Sequence, residues 1–141
     1  MTISYNRLGS NGRLGNQMFQ YAAAKGIASK VGVPFMIPNH QEIFDDGIGN
    51  RYTILLFDAF KLTSATNLGT LQTEKYAQEQ TFEFVNEFFD LNGSEDFSLW
   101  GFFQTEKYFK HIEDEIREDF AFRDEIAEEC GAIMEGFDNP I

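Results

Sequence analysis

Residues 2 to 37 spell a strand, a glycine loop, a helix and a second strand, and that order leaves few folds open. Thr2 to Asn6 is short and partly β-branched, and Gly9-Ser10-Asn11-Gly12-Arg13-Leu14-Gly15 follows at once. From Asn16 to about Val31, Phe19, Ala22, Ala23, Gly26, Ile27 and Val31 recur at a spacing that lines one helical face. Asn16 is the expected N-cap and Gly32 the expected stop. Val33 to Ile37 then reads as a second strand, closed by Pro38. Two strands joined through a helix run parallel. A parallel sheet needs helices over it and has its functional crevice at the carboxyl ends of its strands, where the glycine loop lies.

The remainder fits an α/β domain with a Rossmann-like parallel sheet flanked by helices. Residues 39 to 80 are mixed in pattern, with a short helix expected near Phe57 to Lys61. Thr81 to Phe89 reads as a loosely alternating strand through Phe82, Phe84, Val85 and Phe88, and Phe97 to Phe103 as a strand buried on both faces. Thr105 is placed to cap a helix running through Tyr108, and helices are expected from beyond His111 to about Asp119 and from Asp124 to about Glu135. Gln-Thr-Glu-Lys-Tyr occurs at Gln72 to Tyr76 and again at Gln104 to Tyr108, but the flanks disagree, so the pentapeptide marks no structural repeat. A chain of 141 residues buries roughly 70% of its unfolded surface, enough for one domain spanning 1–141. Its 16 Phe supply bulky, donor-free core material.

Eleven basic residues against 23 acidic ones give a net charge of -12, which argues against nucleic acid or anionic lipid as a partner. Glu113 to Glu129 alone holds nine carboxylates against Arg117 and Arg123, the pattern of a solvated helical face. Cys130 is the one cysteine, so no disulfide can form within the chain; Ile126, Ala127 and Ile133 around it suggest a small core residue. The opening MTISYNRLGS has no apolar run of signal-peptide type, and no stretch approaches the roughly 20 apolar residues of a membrane span. A cytoplasmic location is expected.

Gly9, Gly12 and Gly15 at three-residue spacing let backbone N–H groups approach a phosphate or a sugar closely. A dinucleotide-binding fold would carry an acidic residue at the end of the second strand to hold a ribose, whereas this strand ends Ile37-Pro38-Asn39-His40. What distinguishes the loop is its continuation into Arg13, Asn16 and Gln17. Arg13 can pair bidentately with a phosphate or a buried carboxylate, and the two carboxamides each offer an acceptor and two donors for a hydroxyl-rich ligand. A purely structural account also fits, in which Asn16 caps the helix and Arg13 braces the loop.

Gly12-Arg13-Leu14-Gly15-Asn16-Gln17-Met18-Phe19-Gln20-Tyr21-Ala22 resembles, over eleven positions, the N-terminal signature of the α-1,2-fucosyltransferase family. Gly101 to Phe109 resembles that family's aromatic-glutamine strand end, and Ile116 to Phe120 continues in register. The resemblance runs from Ile3 to about Phe122, with the middle third poorly matched. It implies a metal-independent, inverting transferase of two Rossmann-like domains (GT-B type) that moves fucose from GDP-fucose to a galactose hydroxyl and needs no cofactor. It places Arg13, Gly15, Asn16, Gln17 and Gln104 at the cleft for the nucleotide sugar and the glycan acceptor.

The family's donor-binding element, a histidine, one residue, arginines and then glycine-aspartate-tyrosine, is absent: His40 is followed by Gln41-Glu42 and His111 by Ile112-Glu113. The resemblance therefore covers the N-terminal domain, without the C-terminal donor-binding domain. The chain is then either a fragment of a longer transferase, inactive alone, or a short protein that keeps half of the fold. A non-catalytic carbohydrate or nucleotide-sugar binding module is the alternative function, and a remnant without ligand a third. No general base is assigned: Glu42, Asp45, Asp46 and Glu106 read as surface or capping carboxylates, and His40 and His111 as surface groups. An uncovered interdomain face would also offer an apolar patch for homo-oligomer formation.

Overall fold

The computed structural model describes residues 1–10, 12–39, 43–45, 47–49, 51–73, 75–91 and 95–135. In chain order the elements are β1 (Ile3–Ser4), α1 (Leu14–Val31), β2 (Phe35–Met36), β3 (Ile43–Asp45), β4 (Arg51–Thr53), α2 (Leu56–Ala59), β5 (Tyr76–Gln78), β6 (Phe97–Trp100), α3 (Glu113–Asp119) and α4 (Asp124–Glu135). Three 3-10 turns cover Asn86–Asp90, Glu106–Tyr108 and Lys110–Ile112. Four strands form a parallel sheet in the order β2-β1-β6-β5, packed against helices in a Rossmann-like manner. Strands β3 and β4 form a separate antiparallel pair in which Asp45 lies opposite Arg51.

The parallel pairing of Ile3 with Phe35 is the β-α-β unit anticipated from the glycine loop and the helix after it. On its other flank Ile3 pairs with Phe97, so β1 sits between its immediate successor and a strand that arrives late in the chain. Ligands enter parallel sheets of this kind at the carboxyl ends of the strands.

The segment expected as a strand from Thr81 to Phe89 contains none. It runs irregularly to Val85 and then makes the 3-10 turn over Asn86–Asp90. Its phenyl groups fill space around Tyr108 instead: the rings of Phe84, Phe88 and Phe89 lie 4.9, 5.9 and 6.3 Å from the Tyr108 ring. The fourth place in the sheet goes to Tyr76–Gln78, within the region whose pattern suggested only loops. Tyr76 ends the first pentapeptide copy in a strand, while Glu106–Tyr108 of the second copy is a 3-10 turn capped by Thr105, whose side chain accepts from the Lys107 N–H. Identical residues thus adopt different structures, as expected of a chance repeat.

Helix α1 starts at Leu14, with Arg13 rather than Asn16 as its N-cap residue and no capping bond from the Arg13 side chain. Gly12, at φ 103°, turns the chain so tightly that a Cβ there would lie 2.3 Å from Nδ2 of Asn16. Asn16 is consequently in the first turn, folded over Gly12, and not ahead of it. At the other end Gly32 stops the helix in the left-handed conformation, its N–H bonded to the Ala28 carbonyl. The helix buries far more than one face: Gln17, Gln20, Tyr21, Ala22 to Ala24, Lys25, Gly26, Ile27 and Ala28 are all buried, whereas Phe19 is partly exposed. Small residues permit this, above all Gly26, where a Cβ would stand 2.1 Å from the Tyr108 carbonyl oxygen.

Asp119, at the end of α3 and 1% exposed, locks the far side of α1. It accepts hydrogen bonds from Tyr21 Oη (2.7 Å), Lys25 Nζ (3.1 Å), the Ser64 N–H (2.9 Å), Thr63 Oγ1 (3.3 Å) and the Ser64 hydroxyl. Burial alone would raise the Asp119 pKa, but the bonds from Ser64, Tyr21 and Lys25 outweigh it and hold the carboxyl below the usual range. Burial pushes the Tyr21 hydroxyl far up, so the tyrosine stays a proton donor to Asp119.

Helix α4 runs along the outside, with every residue from Asp124 to Ala132 exposed except the half-buried Ile126. Cys130 is therefore an exposed free thiol and not the core residue its neighbours suggested. Among the described residues no helix is long and apolar enough to cross a membrane.

Candidate functional site

The carboxyl ends of β1 and β6 are fastened by buried polar side chains. Asn6 receives the Ser4 hydroxyl at 2.9 Å, and its N–H donates to Ser98 Oγ at 3.0 Å. Its carboxamide also bonds both the N–H and the carbonyl of Leu71. Tyr5 Oη donates to the Gly101 carbonyl at 2.5 Å and accepts from the Gly101 N–H at 3.1 Å. Beyond Trp100 the chain leaves the sheet, earlier than the expected end at Phe103. Gly101 adopts φ 152° and Phe103, fully buried, adopts φ 52°. A left-handed phenylalanine is held only where surrounding packing over-determines it, here the rings of Tyr5, Phe88 and Tyr108. This bend aims Gln104 back toward the glycine loop.

Gln104 and Asn16 meet: Gln104 Nε2 donates to Asn16 Oδ1 at 2.7 Å. Asn16 is half-buried and Gln104 exposed, so the pair lies on the surface beyond the carboxyl ends of β1 and β6. Among the described residues, Nδ2 of Asn16 and Oε1 of Gln104 keep donor and acceptor capacity for a ligand.

Gln17 behaves differently from expectation. Its side chain is 1% exposed and spent on backbone: Nε2 donates to the Gly12 carbonyl (3.3 Å) and the Thr53 carbonyl (3.2 Å), and Oε1 accepts from the Leu55 N–H (2.7 Å). It serves as a clamp between the glycine loop and the strand carrying Arg51, and not as an open hydroxyl reader. Gly9 allows that approach, since a Cβ there would lie 2.8 Å from Ile54 N and from the Thr53 carbonyl carbon. Gly15 is exposed on the first turn of α1, with open space around it.

The clamp creates a hollow of about 600 Å³ between the glycine loop and β4, with Arg13 and Arg51 on its walls beside Gly12, Gln17, Tyr52 and Thr53. Both arginines are exposed, and neither guanidinium has an ion pair or hydrogen bond among the described residues. In a chain of net charge -12, two cations share this hollow, and no carboxylate is among the described residues that line it. The first turn of α1 beside it contains no acidic residue, so the helix dipole adds to the positive field. Phosphate is the natural complement. Arg51 and Tyr52 were not among the residues expected at the site; the available signal was a cation two residues after Gly49, in a stretch with glycines at 47 and 49.

The remaining candidates stay apart from this hollow. Glu106 is exposed in the 3-10 turn that Thr105 caps, and His111, also exposed, uses Nε2 on the Gly26 carbonyl at 2.8 Å. His40, Glu42 and Asp46 lie outside the described residues, and Asp45 is described only as the ladder partner of Arg51. Among the described residues no group of three or more His, Cys, Asp or Glu side chains could hold a metal ion.

Comparison with family models, curated proteins and solved structures gives no match to this chain.

Proposed function

We propose that this chain is the N-terminal, Rossmann-like half of a two-domain nucleotide-sugar-dependent glycosyltransferase, with the diphosphate of GDP-fucose against Arg13 and Arg51. The observation that carries this reading is the pair of guanidiniums, without a partner among the described residues, facing one hollow beside an acid-free helix start. The sequence resemblance of the same loop to α-1,2-fucosyltransferases supplies the sugar and the galactose acceptor. Transfer would be one displacement. The acceptor oxygen attacks the anomeric carbon, the bond to the diphosphate oxygen breaks with its electron pair leaving on GDP, and the hydroxyl proton passes to a base. Guanidiniums placed where that negative charge develops supply the electrostatic part of the catalysis. The domain absent from residues 1–141 would contribute the remaining leaving-group arginine and close the cleft.

A second reading is a nucleotide-sugar binding module without turnover, which needs the arginine hollow and no general base. Calorimetric titration with GDP, combined with an assay of fucose transfer from GDP-fucose to lactose, separates the two. Binding without transfer by this chain, with transfer appearing once a downstream domain is supplied, supports the transferase. Binding that never leads to transfer supports the module. Failure to bind GDP contradicts both.

A further inference from the structure

A second hollow, of about 260 Å³, opens at the carboxyl ends of β5 and β6 and is lined by Gln78, Gln80, Phe82, Trp100 and Phe102. Phe82 is 72% exposed, the most exposed aromatic side chain among the described residues, yet it is held in place. Its ring stacks on that of Phe102 at 6.3 Å with an interplanar angle of 25°. Phe102 is in turn fixed through its backbone, since its N–H and that of Phe103 donate to the two carboxylate oxygens of Glu79, each at 3.0 Å. Gly101 beside them accommodates this contact, because a Cβ there would lie 2.4 Å from Glu79 Cβ. The platform is thus preorganised, and both oxygens of the one described carboxylate at the hollow are taken up by backbone donors. Gln78 and Gln80 are exposed at its edge, and among the described residues their carboxamides make no hydrogen bond.

An aromatic face with uncommitted amides at its rim matches a pyranose ring, which presents C–H groups on one side and hydroxyls around its perimeter. Because the two phenyl rings stack on each other, no slot opens between them, and a ligand ring would lie on an outer face. We propose that this hollow is a subsite for a neutral sugar residue of the acceptor glycan. It rests on the transferase reading for the identity of its ligand as acceptor. The loop from Gly101 to Gln104 joins the two regions, carrying Phe102 at this hollow and Gln104 at Asn16. A glycan lying across that loop would hold one sugar on the phenyl platform and direct the next toward the arginine hollow.

Phe82 is exposed, so Phe82→Ala leaves the fold intact, which circular dichroism checks. Titration with lactose and N-acetyllactosamine, followed by NMR chemical shifts of the phenylalanine rings, reads the subsite directly. Galactoside affinity is expected to fall about tenfold or more in Phe82→Ala and to fall in Gln80→Ala, with GDP affinity unchanged in both. Arg13→Ala has the opposite pattern. Three results overturn the subsite: no galactoside binding up to roughly 10 mM, equal galactoside affinity in Phe82→Ala, or loss of GDP affinity in that variant, which would make the hollow a nucleobase site. Galactoside binding that depends on Phe82 in a chain that ignores GDP would instead sink the nucleotide-sugar reading and leave this subsite standing.

Discussion

Gln104 Nε2 donates a 2.7 Å hydrogen bond to Oδ1 of Asn16, joining two residues 88 positions apart. The bond closes the surface between the loops that follow β1 and β6, at the carboxyl ends of the two central strands. It exists because Phe103 takes a left-handed backbone held by buried rings, so the site depends on the aromatic core beneath it.

Since Gln104 is exposed, the pair contributes modestly to stability. A double-mutant cycle of Asn16→Ala and Gln104→Ala, measured by urea unfolding, is expected to give a coupling of about 0.5–1.5 kcal/mol. Additive effects would show that the bond is not maintained in solution.

Gln17 is a stronger determinant. Gln17→Ala leaves the half-buried Leu55 N–H and Thr53 carbonyl without this partner and is expected to cost about 1–3 kcal/mol. The same substitution releases β4 from the glycine loop, so GDP affinity should fall although Gln17 need not touch the nucleotide. Unchanged stability in a urea melt would refute the clamp.

Gly26 marks the closest packing of α1. In Gly26→Ala the new methyl meets the Tyr108 carbonyl, and overpacking of this kind typically costs about 1–3 kcal/mol despite the better helix propensity of alanine. A thermal melt showing stabilisation would mean that the 3-10 turn at Tyr108 sits further from the helix.

Asp119 predicts an acid limb. Its folded-state pKa lies below the ordinary carboxylate value of 3.8, so the unfolded chain binds the proton more readily. The stability it confers is present above that ordinary value and drains away as pH falls through the folded pKa. Asp119→Asn should flatten the pH dependence of unfolding free energy in that acidic window. Asp119→Ala, which leaves Lys25 buried without this counter-charge, should cost about 3–5 kcal/mol at neutral pH. A variant with the wild-type acid limb would contradict the assignment.

Much of the architecture was legible because it rests on local grammar. The glycines at 9, 12 and 32 and the alternation of strand and helix fixed the first β-α-β unit, and Thr105 announced its cap. The misplaced strand at 81–89 shows where local pattern runs out: spacing alone does not say whether Phe84 and Phe88 face a sheet or wrap Tyr108, a residue 24 and 20 positions later. Cys130 fails for the same reason, since an apolar helix face implies burial only if something covers it. At the site, Arg13, Asn16 and Gln104 were visible as residue types able to bind. Gln17 was equally visible and turned out to bind its own backbone. Arg51 was invisible because its approach to Arg13 depends on that clamp.

The central claim is that Arg13 and Arg51 together receive a diphosphate, and the most direct test is calorimetric comparison of GDP with guanosine. The two ligands differ only in the phosphates. GDP is expected to bind about tenfold or more tightly than guanosine, with the advantage shrinking in Arg13→Ala, in Arg51→Ala and with added salt. Equal affinities for the two ligands, or a GDP advantage that survives both substitutions, would contradict it.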